Sequence, residues 1–343
     1  LRAVAERWPI ACDISRQVMK YLVSTVKNVS AATCFATSVA LCAASVSAAE
    51  PEMAATTPVA ATSDTKPKPP PYSLPFQLRP VVSATVLRSD TAFSFYENPT
   101  TTRGGSIVAS TLLGSYKLSD QLAPLVRVGF VENSPASSAK GATNFLNPVL
   151  GGTFALKLTP ELKLGLFLGV AVPVGSGGGN SAKAESRAAN AAGIAARSGM
   201  DNAMFAVNYF TVFPGVGMAY VAHGLTVQGE VTALQLTRVK GEKLDTDSSR
   251  TNFTTGLHVG YFLIPQFSIA GELRHQRWLS TPASVKKDST ARDISTIAIG
   301  PRFHFKLGEQ SWLRPALVLA LPLDEPLSKS NYKTIQLDIP VSF

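Results

Sequence analysis

The stretch "LKLGLFLGVAVPV", residues 162–174, decides the fold of this chain. Leu162, Leu164, Leu166, Leu168, Val170, Val172 and Val174 recur at every second position, so in an extended strand they share one face. Lys163, Gly165, Phe167, Gly169, Ala171 and Pro173 share the other. A helix, with a period of 3.6, would scatter the same aliphatic residues around its axis. One aliphatic face, opposite a face that admits a lysine and two glycines, suits a strand standing between lipid and water.

The pattern repeats along the chain. In "TIAIGPRFHFKL" (296–307), Ile297, Ile299, Phe303, Phe305 and Leu307 fall outward, and Arg302, His304 and Lys306 inward. In "LRPALVLALPL" (313–323) the leucines at 313, 317, 319, 321 and 323 fall outward and Arg314 inward. "TIQLDIPVSF" (334–343) places Ile335, Leu337, Ile339, Val341 and Phe343 on one face, with Gln336 and Asp338 on the other. A cation on the lipid face near the bilayer midplane costs about 2–4 kcal/mol, which fixes the phase of each strand. The register of the first (80–96) and sixth (204–221) strands is less regular.

Composition agrees. The 343 residues are 45% hydrophobic and only 16% charged, well below the roughly 25% charged of soluble chains. The body of the sequence holds no run of ~20 apolar residues, so its hydrophobicity is spread through alternation. The net charge of +9 comes without basic runs interleaved with aromatics, which argues against a nucleic-acid partner.

The connections alternate in length. Short turns fall at Ser119-Asp120-Gln121, Thr159-Pro160-Glu161, Ala222-His223-Gly224, Ile264-Pro265-Gln266 and Gly308-Glu309-Gln310. Longer polar loops fall at 97–105, 133–143, 175–203, 240–251, 280–292 and 324–331. Residues 79–343 are therefore expected to form an all-β, antiparallel, up-and-down transmembrane β-barrel of about twelve strands, with short periplasmic turns and long outer loops. A soluble β-sandwich has shorter strands and no such alternation of loop length.

Ahead of the barrel, residues 1–18 read as an upstream leader before a natural start at Met19. Residues 19–48 read as a signal peptide, with Lys20 and Lys27 before an apolar stretch that ends in Val46-Ser47-Ala48. Residues 49–78, rich in Pro, Ala and Thr, read as a disordered periplasmic linker. Cys12, Cys34 and Cys42 all precede Ala49, so the mature chain is expected to carry no disulfide and no cysteine-bound metal.

With a signal-like segment in front and an amphipathic strand reaching Phe343, the chain resembles the bacterial outer-membrane β-barrel superfamily, of the porin or channel kind. The resemblance covers 19–48 and 76–343 and names no particular family within that class. It implies a Gram-negative outer membrane as location, reached through the periplasm, and lipid as surroundings. It also implies that the barrel-assembly machinery reads the last strand and Phe343.

A twelve-stranded wall has a backbone radius of roughly 12 Å, between filled eight-stranded barrels and wide porins. The expected pore lining is Lys117, Arg127, Lys157, Lys163, Glu230, Glu272, Arg274, Arg302, His304, Lys306, Arg314 and Asp338, an excess of cations that favours anions. Inward glycines and alanines, among them Gly165, Gly169, Gly256, Gly260, Ala316 and Ala320, leave room. Pairing of those charges as an internal brace is the alternative reading. The loop 175–203 favours a short helix bounded by Gly193 or Gly199 and could fold into the mouth, with Lys183, Arg187 and Arg197 facing solute.

The function expected is passive uptake or diffusion of small solutes, anionic or apolar, through a narrow, cation-lined lumen. The alternative is a non-conducting structural or partner-binding barrel, which would show a plugged lumen. A hydrolase is the weaker reading: His223, His258, His275 and His304 show no Ser/His/acid spacing, though sequence spacing does not exclude a spatial triad. No enzyme activity, cofactor or metal is expected, and oligomeric state is left open.

Overall fold

The computed structural model describes residues 71–241 and 247–343. The expectations for 1–18, for 19–48 and for residues 49–70 of the linker lie outside the described residues.

Alternating side chains build the strands β1 (Val86–Glu97), β2 (Gly104–Ser115), β3 (Leu122–Ser134), β4 (Ala142–Phe145), β5 (Val149–Lys157), β6 (Leu162–Ala171), β7 (Tyr209–Ala222) and β8 (Leu225–Arg238). They continue with β9 (Ser249–Ile264), β10 (Phe267–Trp278), β11 (Asp293–Phe303), β12 (Phe305–Lys306), β13 (Trp312–Leu313), β14 (Ala316–Pro322) and β15 (Lys333–Ser342). Each long strand pairs antiparallel with its neighbours, and β1 pairs with β15, so the sheet closes on itself as a twelve-strand barrel. β4 extends the wall beside β3, and β12 with β13 forms a small hairpin at the short-turn end. Closure leaves each of the twelve long strands with two partners, which satisfies backbone N–H and C=O groups without help from solvent.

The turns expected from Pro, Gly and Asp join these strands. Between β7 and β8, His223 (φ 50°) and Gly224 (φ 82°) both take left-handed conformations, as a two-residue hairpin turn requires.

The wall is inverted relative to a soluble domain. Leu166, Leu168, Met218, Leu257, Val259, Ile297, Ile299, Leu317 and Leu319 are exposed on its outside. Thr226, Gln228, Asn252, His258, Ser268, Gln276, Gln336 and Asp338 are buried inside. A continuous belt of exposed apolar side chains around a polar interior is stable only where the surroundings are hydrocarbon. Alternation in β6, β11, β14 and β15 runs as the sequence predicts, Thr334, Gln336, Asp338 and Pro340 turning inward.

Two sequence expectations change. The first wall strand begins at Val86 rather than at 80. Residues 72–81, divided by the sequence reading between a disordered linker and the barrel, lie inside the barrel with Phe76 and Leu78 fully buried. Pro75 and Pro80 lack the N–H a central strand must donate, so this segment crosses the lumen instead of joining the wall. The strand expected at 204–221 begins only at Tyr209, because Asn202–Phe205 turns as a short helix.

Candidate functional site, the occupied lumen

Two pieces of chain fill the barrel. From the short-turn end come residues 72–81. From the long-loop end comes the connection 172–208, which contains the helix α1 (Ala184–Ala196) and the short helix α2 (Asn202–Phe205).

Residues 72–81 are held largely by their main chain. The Ser73 N–H donates to Thr226 Oγ1 at 2.9 Å, and the N–H groups of Phe76 and Gln77 donate to the two oxygens of Glu272 at 2.8 and 3.1 Å. The Arg79 N–H donates to Glu230 Oε2 at 2.6 Å, and the Arg79 carbonyl accepts from Gln228 Nε2 at 2.7 Å. The carbonyls of Pro75 and Phe76 accept from Arg88, and that of Phe76 also from Gln336 Nε2 at 3.1 Å. The Arg79 guanidinium pairs with Glu230 and lies over the Phe167 ring, 4.3 Å from its centroid.

The side chains of this segment occupy the space that the inward glycines and alanines leave. Phe76 sits among Ala270, Ala298, Ala316, Val318 and Ala320. A Cβ built on Gly256 would lie 2.4 Å from Leu78, one on Gly260 would lie 2.1 Å from Ser73, and one on Gly165 would lie 3.1 Å from the Val81 side chain. The small residues of the wall are the imprint of its occupant.

The helix α1 packs Ala189, Gly193 and Ala196, one face at i, i+4 and i+7, against a core that includes Val131, Ile107 and Phe205. Gly193 lies inside the helix rather than at its end, since a Cβ there would meet Phe205 at 2.2 Å. The helix stops before Gly199, whose φ of 69° suits glycine and whose N–H donates to the Ile194 carbonyl. From the wall, Asn147 accepts from Gly175 N–H and donates to the Ala206 carbonyl at 3.0 Å, pinning both ends of the loop.

Charges join the two insertions to the wall. Arg197, directly after the helix, donates to Asp90 Oδ2 at 2.5 Å and to Asp201 Oδ2 at 2.9 Å. Arg127 also binds Asp201, at 2.6 Å. Burial alone would raise the Asp201 carboxyl, but Arg127 and Arg197 overcome that and hold it well below the usual carboxylate range. Gln77 Nε2 donates to the Arg197 carbonyl at 2.8 Å and to Asp201 Oδ2 at 3.3 Å, so the two insertions touch each other. Arg88 and Arg302 share Asp338, and Arg274 pairs with Glu272. A cavity of about 60 Å³ remains beside Gln77, Arg79, Arg127, Phe167 and Met200, enough for a few waters.

Of the residues expected to line a pore, Arg127, Glu230, Glu272, Arg274, Arg302, His304 and Asp338 point into the barrel, mostly within these ion pairs. His304 meets Ser268 Oγ at 2.9 Å and stacks on Phe262. Lys163 and Arg314 also face inward, near the short-turn end, over the rings of Tyr72 and Trp312 and without an ion pair among the described residues. Lys117, Lys157 and Lys306 are exposed at strand ends, Lys117 pairing with Asp120 in its turn, and do not line the lumen. Of the loop cations, Arg197 enters the barrel while Lys183 and Arg187 stay exposed. Phe343 is exposed on the outer face, its N–H on the Thr85 carbonyl. Sequence reasoning missed Arg79, Arg88, Asp90 and Asp201. Asp90 and Arg88 were legible as an i, i+2 pair in a strand whose register had been left open.

Ser73, His258 and Glu272 do form the spatial Ser/His/acid sequence that spacing left open. Ser73 Oγ lies 3.4 Å from His258 Nε2, and His258 Nδ1 lies 3.6 Å from Glu272 Oε2. Both separations exceed the 2.6–3.2 Å of an activated nucleophile. Glu272 is already engaged by Arg274 and two main-chain N–H groups, and all three residues are buried. The arrangement anchors the segment. Among the described residues no cluster of His, Cys, Asp and Glu suited to a metal ion occurs.

The closed antiparallel wall, apolar outside and polar inside, defines the class: a transmembrane β-barrel. No protein-family model matches the chain, and no curated protein matches it in sequence. Among solved structures, it is similar to an outer membrane channel from Pseudomonas putida F1, at 16% identity and a TM-score of 0.49, over 78% of this chain and 98% of that one. It is also similar to the NanC porin (10% identity, TM-score 0.45, 74% and 98% covered). The KdgM porin gives 9% identity and a TM-score of 0.40, with 75% and 99% covered. At these identities the likeness is one of architecture.

Proposed function

We propose that the chain is an outer-membrane channel for small solutes, closed in the state described by two insertions that withdraw when it conducts. The observation that carries the reading is the imprint: the wall does not fill its own lumen. Ala270, Ala298, Ala316, Val318 and Ala320 surround Phe76, and Gly260, Gly256 and Gly165 make the room taken by Ser73, Leu78 and Val81. Eight-stranded barrels fill themselves with side chains, whereas twelve strands leave a passage once residues 72–81 and the loop 172–208 have both withdrawn. On this reading the short turns face the periplasm, so that segment enters from there and the loop 172–208 from outside, while Phe343 belongs to the strand read by the assembly machinery.

Most lumen charges act as a brace between wall and insertions. Lys163 and Arg314, which form no ion pair among the described residues, support a mild preference for anions at the short-turn mouth. The occlusion itself favours the second reading, a non-conducting barrel that displays its loops.

Planar-bilayer recording separates the two. The unaltered chain should open rarely, and a chain carrying Phe76→Ser with Leu78→Ser should open often. No conductance above background in either, with both shown to be folded by heat-modifiable gel migration, selects the non-conducting barrel. Reversal potentials in a salt gradient should move toward cations in the Lys163→Glu, Arg314→Glu chain, and unchanged potentials would remove those residues from the lining.

A further inference from the structure

We infer that the lumen wall is a peptide-binding site, of which residues 73–79 are the tethered occupant, and that it takes a short oligopeptide, bent at its centre as residues 76–78 are, with apolar side chains two positions apart. The inference rests on the proposed channel reading only in requiring that the segment can leave.

The contacts are of the kind that recognise a peptide as a peptide. Glu272 accepts two successive main-chain N–H groups, from Phe76 and Gln77. Gln336 and Arg88 donate to the carbonyl between them, and Gln228 donates to the Arg79 carbonyl. None of these bonds depends on which side chains the occupant carries. The wall's own main chain is consumed in closing the barrel, so inward side chains are what satisfies the main chain of a bent guest. Selectivity then comes from two sockets: the alanine-lined one around Phe76, edged by the His258 ring at 6.0 Å, and the Gly256 hollow under Leu78. Main-chain bonds supply affinity and the two pockets supply specificity. Withdrawal of the segment leaves Glu272, Gln336 and Gln228 with buried polar groups that a second peptide can satisfy. Against the natural segment any free peptide competes at a disadvantage, because tethering gives an effective concentration on the order of millimolar.

The test uses the full-length chain with Phe76→Ser and Leu78→Ser, and a second chain in which residues 72–81 are replaced by a Gly/Ser repeat of equal length. A fluorescent, end-blocked peptide of the sequence YSLPFQLRPV is titrated against each in detergent and read by anisotropy, with bilayer conductance recorded on the same preparations. Saturable binding is expected, at least tenfold weaker for the peptide with serine in place of phenylalanine. A peptide that keeps Phe and Leu two apart, with alanine at the other non-proline positions, should bind within tenfold of the first. Absence of saturable binding to both folded chains overturns the inference, as does equal binding of a scrambled peptide. Binding without any conductance would sink the channel reading and leave the peptide site standing; conductance without binding would do the reverse.

Discussion

Asp90 and Asp338 stand directly opposite each other across the seam where the first strand meets the last, and both are buried. Like charges placed opposite on neighbouring strands repel, and burial sharpens the repulsion. Arginine settles it. Arg88 and Arg302 bind Asp338, while Arg197, brought in by the loop 107 residues further along, binds Asp90. The barrel's closure is thereby tied to the docking of its longest loop.

Arg197→Gln removes the one cation among the described residues that binds Asp90 directly, and leaves that carboxylate buried beside Asp338. The expected loss is about 3–5 kcal/mol, as for other buried pairs broken on one side. Adding Asp90→Asn should restore most of it, since the seam then holds one carboxylate instead of two, and Asp338 keeps Arg88 and Arg302. Denaturant unfolding of the two chains in detergent checks this, and an Asp90→Asn change that fails to rescue would place the role of Arg197 elsewhere.

The contact of Gln77 with Arg197 and Asp201 couples the two insertions. Gln77→Ala should raise open probability by destabilising both, at about 1–2 kcal/mol. Combined with Asp201→Asn it should show a non-additive effect of at least about 0.5 kcal/mol. Strict additivity in a double-mutant cycle of opening equilibria would mean that the two pieces move independently.

Acid should not release the loop readily. The Asp201 carboxyl is depressed in the folded protein, so its contribution is fully present above the ordinary carboxylate value near 3.9 and is lost only as pH falls through the lower folded value. Lowering pH from 7 to 5 should therefore leave tryptic cleavage at the exposed Lys183 and Arg187 unchanged, with none at the buried Arg197. New cleavage at Arg197 over that interval would contradict the assignment of Asp201 as its anchor.

Gly256→Val should expel the segment, because the added side chain begins 2.4 Å from Leu78. Leu78→Ala in the same chain should return the closed state by vacating the volume. Conductance that rises in the single variant and falls back in the double is the expected reading. A double variant as open as the single would show that shape at this socket does not hold the segment.

The wall was legible in the sequence, and the filling was not. Leu166 and Phe167 could be assigned to opposite faces from their spacing alone, because facing in a strand depends on parity. Depth along the strand carries no such signal, so Lys117, Lys157 and Lys306 read as lumen residues although they lie at strand ends in water. Arg79 and Phe76 lie in a proline-rich stretch with the composition of a spacer, and the alternation of Phe76 with Leu78 was too short to stand out. Arg127 points into the barrel, but its partner Asp201 lies 74 residues away on a loop.

By itself the sequence determined a closed wall with lipid outside, because the period of two fixes the environment of each residue from its neighbours alone. Whether that wall encloses water or chain was decided in three dimensions. Glycines that leave space and side chains that take it are separated by scores of residues, and only the folded barrel brings Gly256 against Leu78 or Glu272 against the N–H of Phe76.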